Sequence, residues 1–343
     1  MKRFRPRPAE SLGIIVHYTC TNRCAHCLYA CHPAIEERVE QDDLDRIADS
    51  IARACPSAPV HIGGGEPLWD VERTAYLLRR LHRNGTLVEY VETNGFWIRS
   101  EQPRQRLETI KAAGCPCVLL SISPFHNEFL SMKDSLRAYR AIVRVFGPRG
   151  IFPWHPAYYR FLRRVAPERT VPFQEYIRHF TAQEIDIQLR GIIYLHPAGR
   201  AAATFARLMQ RRPPEAYRDK NCLPELSSPV HAHVDPMGNY LTGFCSGLRI
   251  GEATAYDLRR LYEDGIHLEG HPLLEMLVSG RLGDLLRFSL DLGFDPDPLG
   301  YISPCHLCGH IRTWLFLRSG SKSEYPELGP AFFYEEMAAS FSV

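Results

Sequence analysis

Short apolar runs alternate with longer amphipathic stretches over the first two-thirds of the chain. Residues 13–19, 59–63, 87–93, 117–123, 151–158 and 185–195 have the length and apolar content of buried strands. Between them, residues 42–54, 71–83, 105–113, 135–146 and 173–181 place apolar side chains at helical spacing. Strands alternating with helices of this length predict a parallel α/β sheet curved into a partial (β/α)6 barrel. The run Arg211-Arg212-Pro213-Pro214 breaks the pattern, so residues 1–212 are expected to form the barrel and residues 213–343 a smaller α+β domain with a tail. In that second part, residues 231–241 read as a hairpin turning at 236–239. Residues 254–263, 272–279 and 284–290 read as short helices. A proline-rich loop over 295–304 precedes Cys305-His306-Leu307-Cys308, and the aromatic tail 324–343 is expected to pack back on the body.

Composition narrows the function classes. The chain has 343 residues, 45% hydrophobic, with a net charge of +2. That balance argues against a broad basic surface for nucleic acid, and the apolar share is ample for a packed core. No apolar run approaches the roughly 18–20 residues that span a bilayer, and no secretory signal follows the basic start. The expectation is a cytoplasmic protein without nucleic-acid or membrane partners. In a reducing compartment, 11 cysteines point to metal or redox use before disulfides.

Two groups of cysteines stand out. Cys20, Cys24 and Cys27 form a C-x3-C-x2-C triplet directly after a predicted strand. Three thiolates on one loop suit a cubane iron–sulfur cluster with one iron left open. Cys31 is the alternative fourth ligand, which would close that cluster or make a zinc site. Cys222, Cys245, Cys305 and Cys308 form the second group. Four thiols, two as C-x2-C, suit either a zinc ion or an iron–sulfur cluster, and spacing alone does not choose.

The segment from Ser11 to Cys27 resembles the opening of radical S-adenosylmethionine enzymes. The resemblance implies a [4Fe–4S] cluster on Cys20, Cys24 and Cys27 whose open iron chelates S-adenosylmethionine, with His26 in the place usually taken by an aromatic residue. Gly64-Gly65-Glu66-Pro67 resembles the family's GGEP motif, which contacts the methionyl amine. Taken as residues alone, the glycines allow close backbone approach, Glu66 offers an acceptor, and the tetrapeptide also fits an ordinary turn. Thr93-Asn94-Gly95 is similar to the family's TNG turn, or is a plain strand end. Ser121 and Ser123 share one strand face and stand where family members place polar contacts to the cofactor. His126 and Glu128 follow the fourth strand, where open α/β folds bind ligands. They are catalytic candidates, set against a solvated loop capped by Asn127. Gln188 and Arg190, on one face of the sixth predicted strand, are candidates for cofactor binding, with a protein Asp or Glu as the alternative partner of the arginine. His155 and Arg200 are weaker ones.

Residues 234–247 resemble the SPASM and twitch extensions of the same enzymes, in which a hairpin and short helix wrap an auxiliary [4Fe–4S] cluster. Four cysteines fit the twitch form, and imply a second cluster on Cys222, Cys245, Cys305 and Cys308. His231 and His233 share a strand face beside it, as alternative ligands, substrate neighbours or ordinary strand residues. The resemblance implies reductive cleavage of S-adenosylmethionine to a 5′-deoxyadenosyl radical, hydrogen-atom abstraction from substrate, and oxidation of the substrate radical through the auxiliary cluster. A one-electron reductant such as flavodoxin or ferredoxin is the implied partner. About a dozen residues precede the first strand, too few for a leader-peptide domain, so a small-molecule substrate is favoured over a peptide. A maturase, epimerase or decarboxylase acting on a peptide or sugar-type substrate is the alternative. A non-catalytic iron–sulfur or zinc protein is the alternative of another class.

Overall fold

The computed structural model describes residues 2–36, 39–154, 156–192, 195–251, 257–320 and 324–341. A two-residue strand β1 (Arg3–Phe4) leads into β2 (Leu12–Ile15), followed by α1 (Gln41–Ala54), β3 (Val60–Gly63), α2 (Val71–Arg83), β4 (Val88–Thr93), α3 (Pro103–Ala112) and β5 (Val118–Ser121). The short α4 (Pro124–Asn127) precedes α5 (Met132–Phe146), β6 (Ile151–Trp154) and α6 (Pro156–Val165). Of these helices α1, α2, α3 and α5 are the ones the sequence predicts, whereas α6 takes up residues 156–158, which read as the end of a strand. In α2, Thr74, Ala75, Leu77, Leu78 and Leu81 are buried, and Asp70 caps the first turn by accepting from the Arg73 amide at 3.0 Å. Each such leucine contributes roughly 1.5–3 kcal/mol by burial.

The sixth expected strand is not a strand. Residues 182–192 are helical, as α8 after a one-turn α7 (Phe173–Tyr176), with α8 (Ala182–Asp186) running into a π-helical stretch at Ile187–Ile192. Apolar residues at 185, 187 and 189 imitate strand alternation. In the fold Ile185 and Leu189 are buried, four residues apart on one helix face, while Ile187 is 50% exposed. A capping box between Thr181 and Glu184 starts the helix, and Asp186 pairs with Arg190 one turn on. Tertiary contacts and capping therefore override a pattern that reads equally as helix or strand.

A sixth parallel strand nevertheless exists, on the opposite edge. After α9 (Arg200–Phe205) and α10 (Leu223–Leu226), β7 (Ala232–Val234) pairs parallel with β2, and β8 (Tyr240–Thr242) returns antiparallel to it. The sheet order is β6-β5-β4-β3-β2-β7-β8. The predicted hairpin is thus present, and it extends the parallel sheet. Its turn is built on the buried Asp235, which accepts from the Met237 and Asn239 amides, the Asn239 side chain and the Tyr18 hydroxyl. One hydrophobic core runs from Phe4 to Met337 and joins the parts on both sides of residue 212.

Beyond the hairpin, α11 (Leu258–Glu263), β9 (Ile266–His267, antiparallel to β1), α12 (Pro272–Ser279), α13 (Leu282–Asp291), α14 (Pro304–Arg318) and α15 (Ala331–Phe341) complete the chain. The tail packs back as expected: α15 lies against α14 and α9, burying Phe333, Tyr334 and Met337. No described helix is long and apolar enough to cross a membrane.

Candidate active site

The strands end on a cavity of about 260 Å³ bounded by the loop that follows β2. That loop brings Cys20, Cys24 and Cys27 to the cavity, with His26 between them and Cys31 beside them. Its backbone is fixed from several sides. Thr19 pairs with His32, and the Cys20 amide donates to the His32 carbonyl at 3.2 Å. The buried Arg200, reached from α9, donates to the carbonyls of Cys24 (2.7 Å) and Cys31, and its own amide donates to the Cys27 carbonyl at 3.1 Å. Arg200 therefore clamps the loop through main-chain oxygens, with Glu336 4.0 Å from its Nε, and it does not line the cavity. Glu336 of α15 holds the outside of the loop through Arg23 (2.9 Å).

The glycines of the second motif are needed for close approach. The Gly65 amide donates to the His17 carbonyl at 2.7 Å and the Glu66 amide to Thr19 at 3.0 Å, so the β2–β3 pairing continues into both loops. A Cβ on Gly65 would fall 1.9 Å from the Thr19 oxygen. Gly64 adopts φ +135°, a backbone that L side chains rarely take. Gly64, Gly65 and Pro67 line the cavity.

Glu66 does not. Its carboxylate is buried and turned to the end of β4, accepting from the Thr93 hydroxyl (2.6 Å), the Leu68 amide (3.1 Å) and the Asn94 amide (2.7 Å). Burial pushes its carboxyl up to about 7. Thr93 Oγ1 in turn accepts from the Trp97 indole at 3.1 Å, and the Asn94 side chain donates to Thr21 at 3.0 Å and reaches Cys20 Sγ at 3.7 Å. Glu66 thus joins the GGEP turn to the TNG turn, and Asn94 joins the TNG turn to the first cysteine.

The remaining candidates divide. Ser121 lines the cavity and donates to Glu92 at 2.9 Å. Ser123 caps α4, with its hydroxyl 2.7 Å from His126 Nδ1, and orients that ring. His126 lines the cavity edge-on to His26 at 5.0 Å, and burial lowers it to about 4, so it is uncharged near neutral pH. Glu128 lies off the cavity, near the Phe173 backbone. Gln188 is buried elsewhere, accepting from the Tyr176 hydroxyl at 2.5 Å, and Arg190 is exposed and paired with Asp186. Both were placed by the strand reading, and the helix carries them away from the cavity. His155 falls outside the described residues.

Glu92 and His61 line the cavity without a signal drawn from the sequence, whereas His233, read there as a possible substrate neighbour, does reach it. Glu92 faces inward between Val91 and Thr93, its carboxyl pushed up by burial against the pull of Ser121. An acid at an inward position of a buried strand was the available signal. Burial pushes His61 down to about 3.

A second cavity, about 660 Å³, is lined by Cys222, Cys245, Cys305 and Cys308. The C-x2-C pair sits on the first turns of α14, whose N-cap Ser303 accepts from the His306 amide at 2.9 Å. Burial and the neighbouring thiols push Cys222, Cys245 and Cys305 up to about 12 as free thiols. The buried Arg312 borders them, donating to the Ser246 carbonyl and the Tyr334 hydroxyl, both at 2.9 Å. Four convergent thiols beside a fixed guanidinium suit an anionic thiolate-ligated centre. His196 and Phe244 stack at 4.4 Å and line both cavities.

The first cavity fits a thiolate-held cluster equally well. Three thiols converge on it, and backbone amides of Asn22 and Cys31 point at Cys20 Sγ (3.4 Å) and Cys27 Sγ (3.3 Å), the kind of contact that tunes cluster sulfurs. Residues 14–147 match the model of the Radical SAM superfamily. Among solved structures, the chain is similar to BtrN in complex with AdoMet and 2-DOIA, at 11% identity and TM-score 0.43, over 81% of this chain and 91% of that one. It is similar to anSMEcpe with bound AdoMet at 12% identity and TM-score 0.43, over 90% and 97%. It is also similar to SuiB of Streptococcus suis bound to precursor peptide SuiA at 12% identity and TM-score 0.37, over 87% and 76%. No curated protein sequence matches it.

Proposed function

We propose that this chain, whose residues 14–147 form a radical SAM domain, cleaves S-adenosylmethionine reductively and oxidises a small-molecule substrate. The observation that carries the reading is the convergence on one cavity of the C-x3-C-x2-C thiols, the two motif glycines and Asn94. The superfamily implies a [4Fe–4S] cluster and S-adenosylmethionine. When bound on Cys20, Cys24 and Cys27, the cluster supplies one electron for cleavage to methionine and a 5′-deoxyadenosyl radical, which takes a hydrogen atom from substrate.

The chain's own groups position and shield that chemistry. The Gly64–Gly65 backbone allows the cofactor's methionyl end to approach closely. Glu92, with Ser121 holding one oxygen, offers a negative charge to a cationic group of S-adenosylmethionine. His26 and His126 form an aromatic edge to the cavity, with His126 held by Ser123. The His196–Phe244 stack is a wall common to both cavities, against which substrate would sit between them. Cys222, Cys245, Cys305 and Cys308, beside the buried Arg312, would hold an auxiliary cluster, which would supply an acceptor for the electron of the substrate radical. A flavodoxin- or ferredoxin-type protein supplies the electron for cleavage.

Glu92→Gln tests the cofactor-binding assignment. Removing the charge while keeping the shape is expected to weaken S-adenosylmethionine binding by about tenfold or more, as read by titration of the cluster spectrum. Unchanged affinity overturns the role of Glu92.

A further inference from the structure

A set of side chains on the inner face of the sheet has no part in the reading above. Gly13 of β2 pairs with His61 of β3 on one side and with His233 of β7 on the other. The three positions form one row across the sheet, and the middle one has no side chain. A Cβ at Gly13 would lie 2.3 Å from His233 Cδ2 and 2.7 Å from His61 Cε1. The two imidazoles therefore occupy the space over Gly13. His231, two residues before His233, joins them, and the three rings bring one nitrogen each within 4.8 Å of the others.

Two hydrogen-bond distances in this set also suit a metal site. His231 Nε2 lies 3.3 Å from His233 Nε2. Two nitrogen ligands about 2.1 Å from a tetrahedral ion stand about 3.4 Å apart, so the pair already has the spacing of a ligand edge. His231 Nδ1 lies 3.1 Å from Ser11 Oγ. That is the outer hydrogen bond by which a metal-bound imidazole is oriented, with its other nitrogen left for the metal. His233 Nδ1 is buried without a hydrogen-bond partner in the structure.

We propose that His61, His231 and His233 form a binding site for one divalent transition-metal ion of the zinc class, separate from both cysteine groups. A set of three neutral nitrogens selects zinc-like ions over magnesium or calcium, which take oxygen ligands. The His61 and His231 rings lie parallel at 5.1 Å, so ligation by all three turns the His61 ring about its Cβ–Cγ bond, out of its stack on Tyr90. His61 and His233 line the first cavity. His231 lines the second cavity, so the site lies in the wall between the two, and a fourth position would be left to water.

The test uses full-length protein with its iron–sulfur sites reconstituted, titrated with zinc chloride and desalted. Metal analysis and zinc-edge X-ray absorption are then read together. One added zinc per chain is expected, with nitrogen or oxygen neighbours at about 2.0–2.1 Å, imidazole outer-shell scattering, and no sulfur at about 2.3 Å. His231→Ala and His233→Ala are each expected to weaken zinc binding at least tenfold with iron content unchanged. The milder Ser11→Ala, which leaves all three ligands, is expected to weaken it about tenfold. No retained zinc, zinc with sulfur neighbours, or equal zinc in the two histidine variants overturns the proposal. Because zinc rather than cofactor cleavage is measured, the outcome is independent of the radical chemistry.

Discussion

At the level of single residues, the molecule holds its motifs by buried polar groups. Glu66 accepts three hydrogen bonds inside the protein. Glu66→Gln turns one acceptor oxygen into a donor facing another donor. The expected cost is about 1–3 kcal/mol, measured as a lower denaturation midpoint of the isolated chain, and an equal midpoint contradicts the network. His126 gives a pH dependence. Its ordinary value is 6.5 and burial lowers it to about 4. Between those values the unfolded chain takes up a proton that the folded chain refuses, so stability is lost as pH falls through that window. At pH 5 this amounts to at most about 2 kcal/mol. His126→Gln is expected to flatten the fall in melting temperature between pH 7 and 5 relative to wild type, and parallel curves would rule the assignment out. The residue types of these groups are plain in the sequence, yet their partners are not. Nothing in Gly-Gly-Glu-Pro says that the glutamate turns inward to Thr93, because that depends on how β3 and β4 lie side by side.

At the level of elements, the first five parallel strands and helices α1, α2, α3 and α5 follow from the apolar pattern with ends displaced by a few residues, while α6 begins inside the expected fifth strand. The pattern misplaces the sixth. Residues 185–189 satisfy both periods at once, and the choice is made by the Thr181 cap and by packing. That single error displaces Gln188 and Arg190. The true sixth strand, β7, is three residues long and is recruited from the far part of the chain, a non-local pairing that local periodicity does not reveal. The loop between β2 and α1 depends on another distant element. Arg200→Met removes the clamp on the Cys24 and Cys31 carbonyls. Iron bound at the first site after reconstitution is expected to fall at least several-fold while the helical content is kept. Gly65→Ala is expected to be more severe, since its Cβ overlaps the Thr19 oxygen. Full iron loading in both variants would show that the loop forms without these contacts.

At the scale of the whole molecule, two thiol-lined cavities share the His196–Phe244 wall, which makes the division of labour separable. Reconstituted wild type is expected to hold about eight irons per chain, four for each cubane cluster. Cys305→Ala is expected to lose about half of them and to abolish substrate oxidation while retaining some cofactor cleavage. Cys24→Ala is expected to keep the auxiliary iron and lose cleavage altogether. The cysteine spacings made both groups visible in the sequence. The chain fold adds that Cys222 and Cys245, 60 or more residues from the C-x2-C pair, line the same cavity as that pair.

The central claim is tested most directly by incubating anaerobic, reconstituted protein with S-adenosylmethionine and a strong reductant and measuring 5′-deoxyadenosine. Wild type is expected to form 5′-deoxyadenosine and methionine in equal amounts, and Cys24→Ala none. A wild-type sample with its cluster fully loaded that forms no 5′-deoxyadenosine would contradict the claim.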